Sequence, residues 1–157
     1  FKCDFQKNLA KELPKIFIMY EDISRVILNL LTNAFYSVNA RREKEGNLYS
    51  PIVILSTSLE TSNKQESKKN ILIKVRDNGT GIPESILDKI FNPFFTTKPS
   101  GEGTGLGLSI SHDIVMVHSG EMKVTSELNV FTEFQISLPV NNIEPEINFP
   151  SSLGSGK

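Results

Sequence analysis

The chain has 157 residues, 38% of them hydrophobic and 22% charged, with 17 basic against 18 acidic side chains. That length supports one domain with a real core, and the near-cancelled charge leaves no electrostatic footprint for nucleic acid or a membrane surface. No apolar run is long enough to span a bilayer, no signal peptide is evident, and one cysteine with two histidines offers neither an internal disulfide nor a metal-ligand spacing. A reducing, cytoplasmic setting is the expectation. The chain opens at Phe1 without a methionine, inside strand-like sequence, and reads as a piece of a longer protein.

In chain order, Phe1 to Gln6 alternates weakly and predicts a strand, Leu13-Pro14 breaks it, and Ile16 to Tyr20 predicts a second short strand. Asp22 is placed to cap a helix from Ile23, with Ile23, Val26, Ile27, Leu30 and Ala34 at helical period and Leu28, Leu31 and Phe35 widening the stripe. The pattern fades into Arg41 to Glu45 and stops at Gly46. Ile52 to Leu59 predicts a strand, and polar Thr61 to Asn70 a hairpin loop. The next strand, Ile71 to Arg76, places Ile71, Ile73 and Val75 on one face; one further step brings Asp77 onto that apolar face. A carboxylate there is costly unless a donor meets it. Pro83 suits the first turn of a short helix, Glu84 to Ile90. Lys98 to Thr104 predicts a Gly/Pro/Ser loop. Leu106 to His118 predicts a helix with Leu106, Ile110, Ile114 and Val117 on one face, stopped by Gly120. Glu121 to Ser126 and Phe131 to Leu138 predict a closing strand pair. The whole reads as an α/β two-layer sandwich, a mixed and mostly antiparallel sheet with helices on one face, over residues 1–140; residues 141–157 read as a polar, disordered tail.

Four stretches carry chemistry. Asn29 and Asn33, four apart, share a helix face beside the apolar stripe. Their carboxamides either bond to neighbouring backbone or offer an oxygen to Mg²⁺, a hard ion completed by water and phosphates. Asp77-Asn78-Gly79-Thr80-Gly81 is not followed by an alternating strand, which disfavours a plain hairpin; an inward acid beside glycines can accept from an adenine amino group while the bare backbone lets the ring approach. Phe91-Asn92-Pro93-Phe94-Phe95-Thr96-Thr97-Lys98 reads as a lid that packs down on bound nucleotide, with Lys98 within reach of a phosphate or simply solvated. Gly103-Thr104-Gly105-Leu106-Gly107-Leu108 opens a helix whose N-terminal amides favour an anion, although it lacks the Gly-Lys-Ser/Thr of a P-loop. Gly154-Ser155-Gly156-Lys157 is a far poorer P-loop fragment and is assigned to the tail.

Taken in order, these four stretches resemble the N, G1, F and G2 boxes of the catalytic, ATP-binding domain of two-component sensor histidine kinases, a Bergerat-fold (GHKL) domain shared with gyrase, a mismatch-repair ATPase and a heat-shock chaperone. The resemblance runs to about Leu138. It implies that Asn33 ligates Mg²⁺, that Asp77 holds the adenine amino group, that Gly79 and Gly81 line the base, that Gly103, Thr104, Gly105, Leu106, Gly107 and Leu108 wrap the phosphates, and that Thr132 supports the adenine through water. It further implies that ATP passes its γ-phosphoryl to a histidine on a separate dimerisation domain, and that a response regulator lies downstream. ATPases of the fold carry a water-activating glutamate where this chain has Asn29, which cannot act as a general base. His112 and His118 are the only histidines, so the fragment is expected to bind Mg-ATP without autophosphorylating. The chain departs from the family at Tyr36 and Ser37, where many members have Lys or His and then an aromatic. Arg41, Arg42 or Lys98 are candidates for the missing cation, and Tyr36 for packing on the base. The competing readings are a GHKL-type ATPase, a degenerate nucleotide-binding regulatory module and, less favoured, a related Ser/Thr protein kinase.

Overall fold

In a computed structural model, residues 2–61 and 68–140 are described. The expected tail, 141–157, and the centre of the expected hairpin loop, 62–67, lie outside them. The elements run β1 (Asp4–Asn8), α1 (Tyr20–Glu45), β2 (Ile52–Thr61), β3 (Lys69–Asp77), α2 (Gly107–Val117), β4 (Glu121–Glu127) and β5 (Phe131–Pro139). The sheet order is β1-β2-β3-β5-β4. Only β1 against β2 is parallel; the other three pairings are antiparallel. Both helices pack on one face of the sheet, which is the expected two-layer arrangement. No helix among the described residues is long and apolar enough to cross a membrane.

Alternation builds the core. β5 buries Thr132, Phe134, Ile136 and Leu138 and leaves the residues between them partly exposed. β3 buries Ile71, Ile73, Val75 and Asp77 in the same rhythm, the phase read from the sequence, and Leu72 on its other face as well. Above them α1 lays down Ile23, Val26, Leu30, Ala34 and Val38 at spacings of three and four.

Several expectations are corrected. Ile16 to Met19 form no strand. Instead α1 begins at Tyr20, and its first turn is closed by the Asp22 and Ile23 amides donating to Met19 O, with no side-chain cap from Asp22. The start is fixed from far away. Met19 N–H donates to His118 Nε2 at 3.1 Å, while His118 Nδ1 lies 2.8 Å from Ile114 O. An acceptor at Nε2 puts the ring proton on Nδ1, so this imidazole joins the end of α2 to the start of α1. Leu28 points to solvent and not into the stripe. Glu84 to Ile90 shortens to a 3₁₀ turn, Glu84–Ile86. α2 buries Ser109, Ser111 and Val115, with His118 buried at its C-cap; of the predicted face Ile114 packs against the core, whereas Ile110 and Val117 are exposed.

Candidate functional site

The site is built on one row of α1. Residues 29, 33, 37 and 41 are each four apart and so share a face over three turns. The first two rungs engage α2 and the loop at Lys98, and the last two share the turn after β3. Asn29 Nδ2 donates to Ser111 Oγ of α2 at 3.0 Å. Asn33 Oδ1 accepts from Lys98 Nζ at 3.0 Å. Ser37 Oγ accepts from Thr80 N–H at 3.0 Å and lies 3.3 Å from Thr80 Oγ1. Arg41 donates to Asn78 O at 2.9 Å and Gly79 O at 3.3 Å.

Asp77 closes β3 at the end of its buried row and is 4% exposed. Burial pushes its carboxyl up to about 6; the Gly79 N–H, 2.8 Å from Oδ1, and the Ser37 hydroxyl pull the other way without cancelling the cost. Thr132 is its cross-strand partner on β5, equally buried, and its Oγ1 lies 3.1 Å from Ser126 Oγ. No hairpin follows Asp77. Asn78 turns the chain back onto β2 instead: its Oδ1 accepts from Ile52 N–H at 2.8 Å and from Tyr49 Oη at 2.7 Å, and its Nδ2 donates to Ser50 O at 2.9 Å.

The glycines have a reason that periodicity did not supply. A side chain on Gly79 would fall on Ser37, one on Gly107 on the Asn29 carboxamide, and one on Gly105 on the Phe94 backbone. They are bare because protein already stands there. Gly103 sits against Thr96 and Lys98. Thr104 Oγ1 accepts from Leu106 N–H at 3.3 Å, shaping the turn into α2, and Leu108 packs against the core. Ser126 secures the opposite wall: its Oγ accepts from Ile82 N–H and donates to Phe131 O, both at 2.8 Å. Ser126→Ala strands both groups and is expected to cost about 1–2 kcal/mol, read as a lower urea midpoint.

The phenylalanines divide. Phe91 lies edge-on to Phe134 with centroids 6.5 Å apart, and Phe95 packs on the core, so neither is a free lid surface. Phe94 alone stands out, 75% exposed and at φ 66°. The Tyr36 ring lies beneath Lys98, its centroid 4.4 Å from Nζ. Arg41 is committed to the Asn78 turn and to Glu45, and Arg42 to Asn47. Ser37 and Arg41 as supports of the turn were missed, although extending the Asn29–Asn33 spacing by two steps reaches both.

Among the described residues, no three His, Cys, Asp or Glu side chains gather where they could hold a metal. A hard cation bound there would need isolated protein oxygens, with water and ligand completing its shell. The Asn33 oxygen, already facing the Lys98 ammonium, suits one.

A mixed sheet under two helices, with a buried acid at a strand end and glycine turns converging on one helix face, defines a nucleotide-binding α/β module. The chain belongs to the family of histidine kinase-, DNA gyrase B- and HSP90-like ATPases, whose sequence model matches residues 19–142. Within it, the chain is the catalytic ATP-binding domain of a sensor histidine kinase. It is 36% identical over 140 residues to the signal transduction histidine-protein kinase AtoS of Escherichia coli K12, covering 89% of this chain and 20% of that protein. Against sporulation kinase D of Bacillus subtilis 168 it is 38% identical over 142 residues, covering 90% of this chain and 24% of that one. The chain thus spans about a fifth to a quarter of these relatives. Among solved structures, the catalytic domain of histidine kinase ThkA superposes with a TM-score of 0.66 at 28% identity, over 87% of this chain and 78% of that one.

Proposed function

We propose that this domain holds Mg-ATP and presents its γ-phosphoryl to a histidine on a separate domain, for onward transfer to a response regulator, on the cytoplasmic side of the cell. The observation that carries the reading is Asp77. A carboxylate in a core-facing row is an expensive choice, and an amino group of adenine is a partner that repays it. Asp77 would accept from the base, Thr132 would steady that end, and Gly79 and Gly81 would line it. The turn Gly103, Thr104, Gly105, Leu106, Gly107 and Leu108 would offer backbone to the phosphates at the start of α2. Asn33 would ligate Mg²⁺, and Lys98 would meet the phosphates. When bound, the magnesium nucleotide supplies the phosphoryl group and neutralises its charge, while the chain's own residues supply orientation.

Two observations favour transfer over hydrolysis. Asn29 holds no general base, and its amide is occupied with Ser111. His118 has both ring nitrogens engaged, which disqualifies it as an acceptor on this chain.

The test is calorimetry with a non-hydrolysable ATP analogue, with and without Mg²⁺. Asn33→Ala is expected to erase the metal-dependent gain in affinity, about tenfold or more, and to spare metal-free binding. A variant that kept the full magnesium effect would remove Asn33 from the metal site.

A further inference from the structure

Lys98 stands where a metal is wanted. Its ammonium lies 3.0 Å from Asn33 Oδ1. An ammonium only donates, so it selects the oxygen end of the carboxamide, the same end that a hard cation needs. The contact belongs to a small closed unit. Lys98 Nζ lies 4.4 Å from the centre of the Tyr36 ring, within cation–π range. Tyr36 Oη donates to Glu102 Oε2 at 3.3 Å. Within the loop, Lys98 N–H donates to Thr96 Oγ1 at 3.1 Å and Glu102 N–H to Pro99 O at 3.0 Å. Gly103 closes against the Thr96 and Lys98 side chains. Asn33 and Tyr36 are three apart on α1 and present neighbouring anchor points. The loop from Thr96 to Gly103 is thereby fastened to the helix at two places, both partly open to solvent.

We propose that this is a latch: in the nucleotide-free protein the Lys98 ammonium substitutes for the divalent cation on Asn33, Tyr36 and Glu102 hold it there, and a magnesium nucleotide opens the loop by displacing it. The proposal rests on the nucleotide-site reading above and adds a regulation to it. A divalent cation and an ammonium on one carboxamide oxygen repel each other at close range, so metal entry drives the release of Lys98. Contacts of this exposure are individually weak, which suits a fastening that must open on every cycle. It also gives Tyr36 a role as a positioning residue, where the family more often carries a cation of its own.

The experiment uses the chain as it stands, in two arms. The first is amide hydrogen exchange without ligand. Lys98→Met and Tyr36→Leu are each expected to speed exchange across residues 98–104 about three- to tenfold, leaving the β3 and β5 amides unchanged. Glu102→Ala moves in the same direction by less. The second arm is the ratio of affinities for an ATP analogue with and without Mg²⁺. Removing the competing cation in Lys98→Met is expected to raise that ratio about three- to tenfold, whatever happens to affinity overall. Unchanged loop exchange in both Lys98→Met and Tyr36→Leu, or an unchanged ratio in Lys98→Met, would overturn the latch. Failure of the wild-type chain to bind nucleotide would overturn the site reading instead, and the first arm would still decide whether the loop is fastened.

Discussion

Asp77→Asn is expected to yield a protein that is more stable at pH 8 yet has lost its preference for adenine. The two effects share one cause. The free acid titrates at 3.8, and burial raises it to about 6 in the fold. Below pH 3.8 both folded and unfolded chains hold the proton and the residue contributes no difference. Between 3.8 and about 6 the folded chain keeps a proton that the unfolded chain releases, so stability falls as pH rises. Above about 6 the full cost of a buried charge is in place, on the order of 2–3 kcal/mol. A neutral amide of the same shape escapes it. Urea melts should therefore favour the variant at pH 8, with the gap closing at pH 4; equal stability at pH 8 would show that the carboxylate is not strained in the fold. An amide can still bond Gly79, but it loses the charged acceptor that a base amino group needs. Affinity for an ATP analogue is expected to fall on the order of a hundredfold, with discrimination against a guanine analogue gone. The wild-type chain should show the same weakness on acidification, its adenine affinity declining as pH drops through about 6.

Gly81→Ala is expected to be severely damaging for the addition of a single methyl. Gly81 lies at φ 66°, where a side chain is strained in any surroundings. A Cβ there would also meet the Glu127 carbonyl oxygen and come within 2.8 Å of Leu128 Cα, in the turn between β4 and β5. These are backbone atoms with no rotamer to yield. The segment cannot retreat cheaply either, since Asn129 N–H donates to Thr80 O at 2.7 Å and Ile82 N–H to Ser126 Oγ at 2.8 Å. Strain and clash together should cost about 2–4 kcal/mol, with nucleotide affinity falling because the Asp77 turn shifts. Gly101→Ala separates the two terms. Gly101 is at φ 89° with nothing within 4 Å of the added carbon, so only the backbone term remains, about 1 kcal/mol. Equal thermal losses in the two variants would discard the packing argument.

β3, β4 and β5 were legible because their buried positions recur mainly with a period of two, whereas the short apolar run Ile16 to Tyr20 misled. Counting from Ile71 led to Asp77, and the fold buries it in that phase. The helix faces were harder. α2 turns Ser109, Ser111 and His118 inward, and each is satisfied locally or across to α1: Ser109 by Leu106 O, Ser111 by Asn29, His118 by Ile114 and Met19. A pattern of apolar residues cannot register a face that is partly polar, so it found Ile114, which packs on the core, but also chose Ile110 and Val117, which are exposed. The start of α1 failed for a related reason. The donor that shapes it finds its acceptor 99 residues along the chain, where no local signal reaches. Of the site, the asparagines, the acid and the glycine turns were visible as residue types at the right spacing. Their partners within the protein were not, because Asn29 to Ser111, Ser37 to Thr80 and Arg41 to Asn78 are all long-range.

The four-rung row on α1 makes the helix intolerant of insertion and deletion in one particular interval. One extra residue between Asn33 and Ser37 would swing everything downstream through about 100°. The serine and the arginine would then leave the Asp77 turn while both asparagines stayed in place. The domain could still fold around its apolar stripe, with the two halves of its cleft set out of step. Length between those two positions is thus as strictly fixed as the identity of the residues themselves.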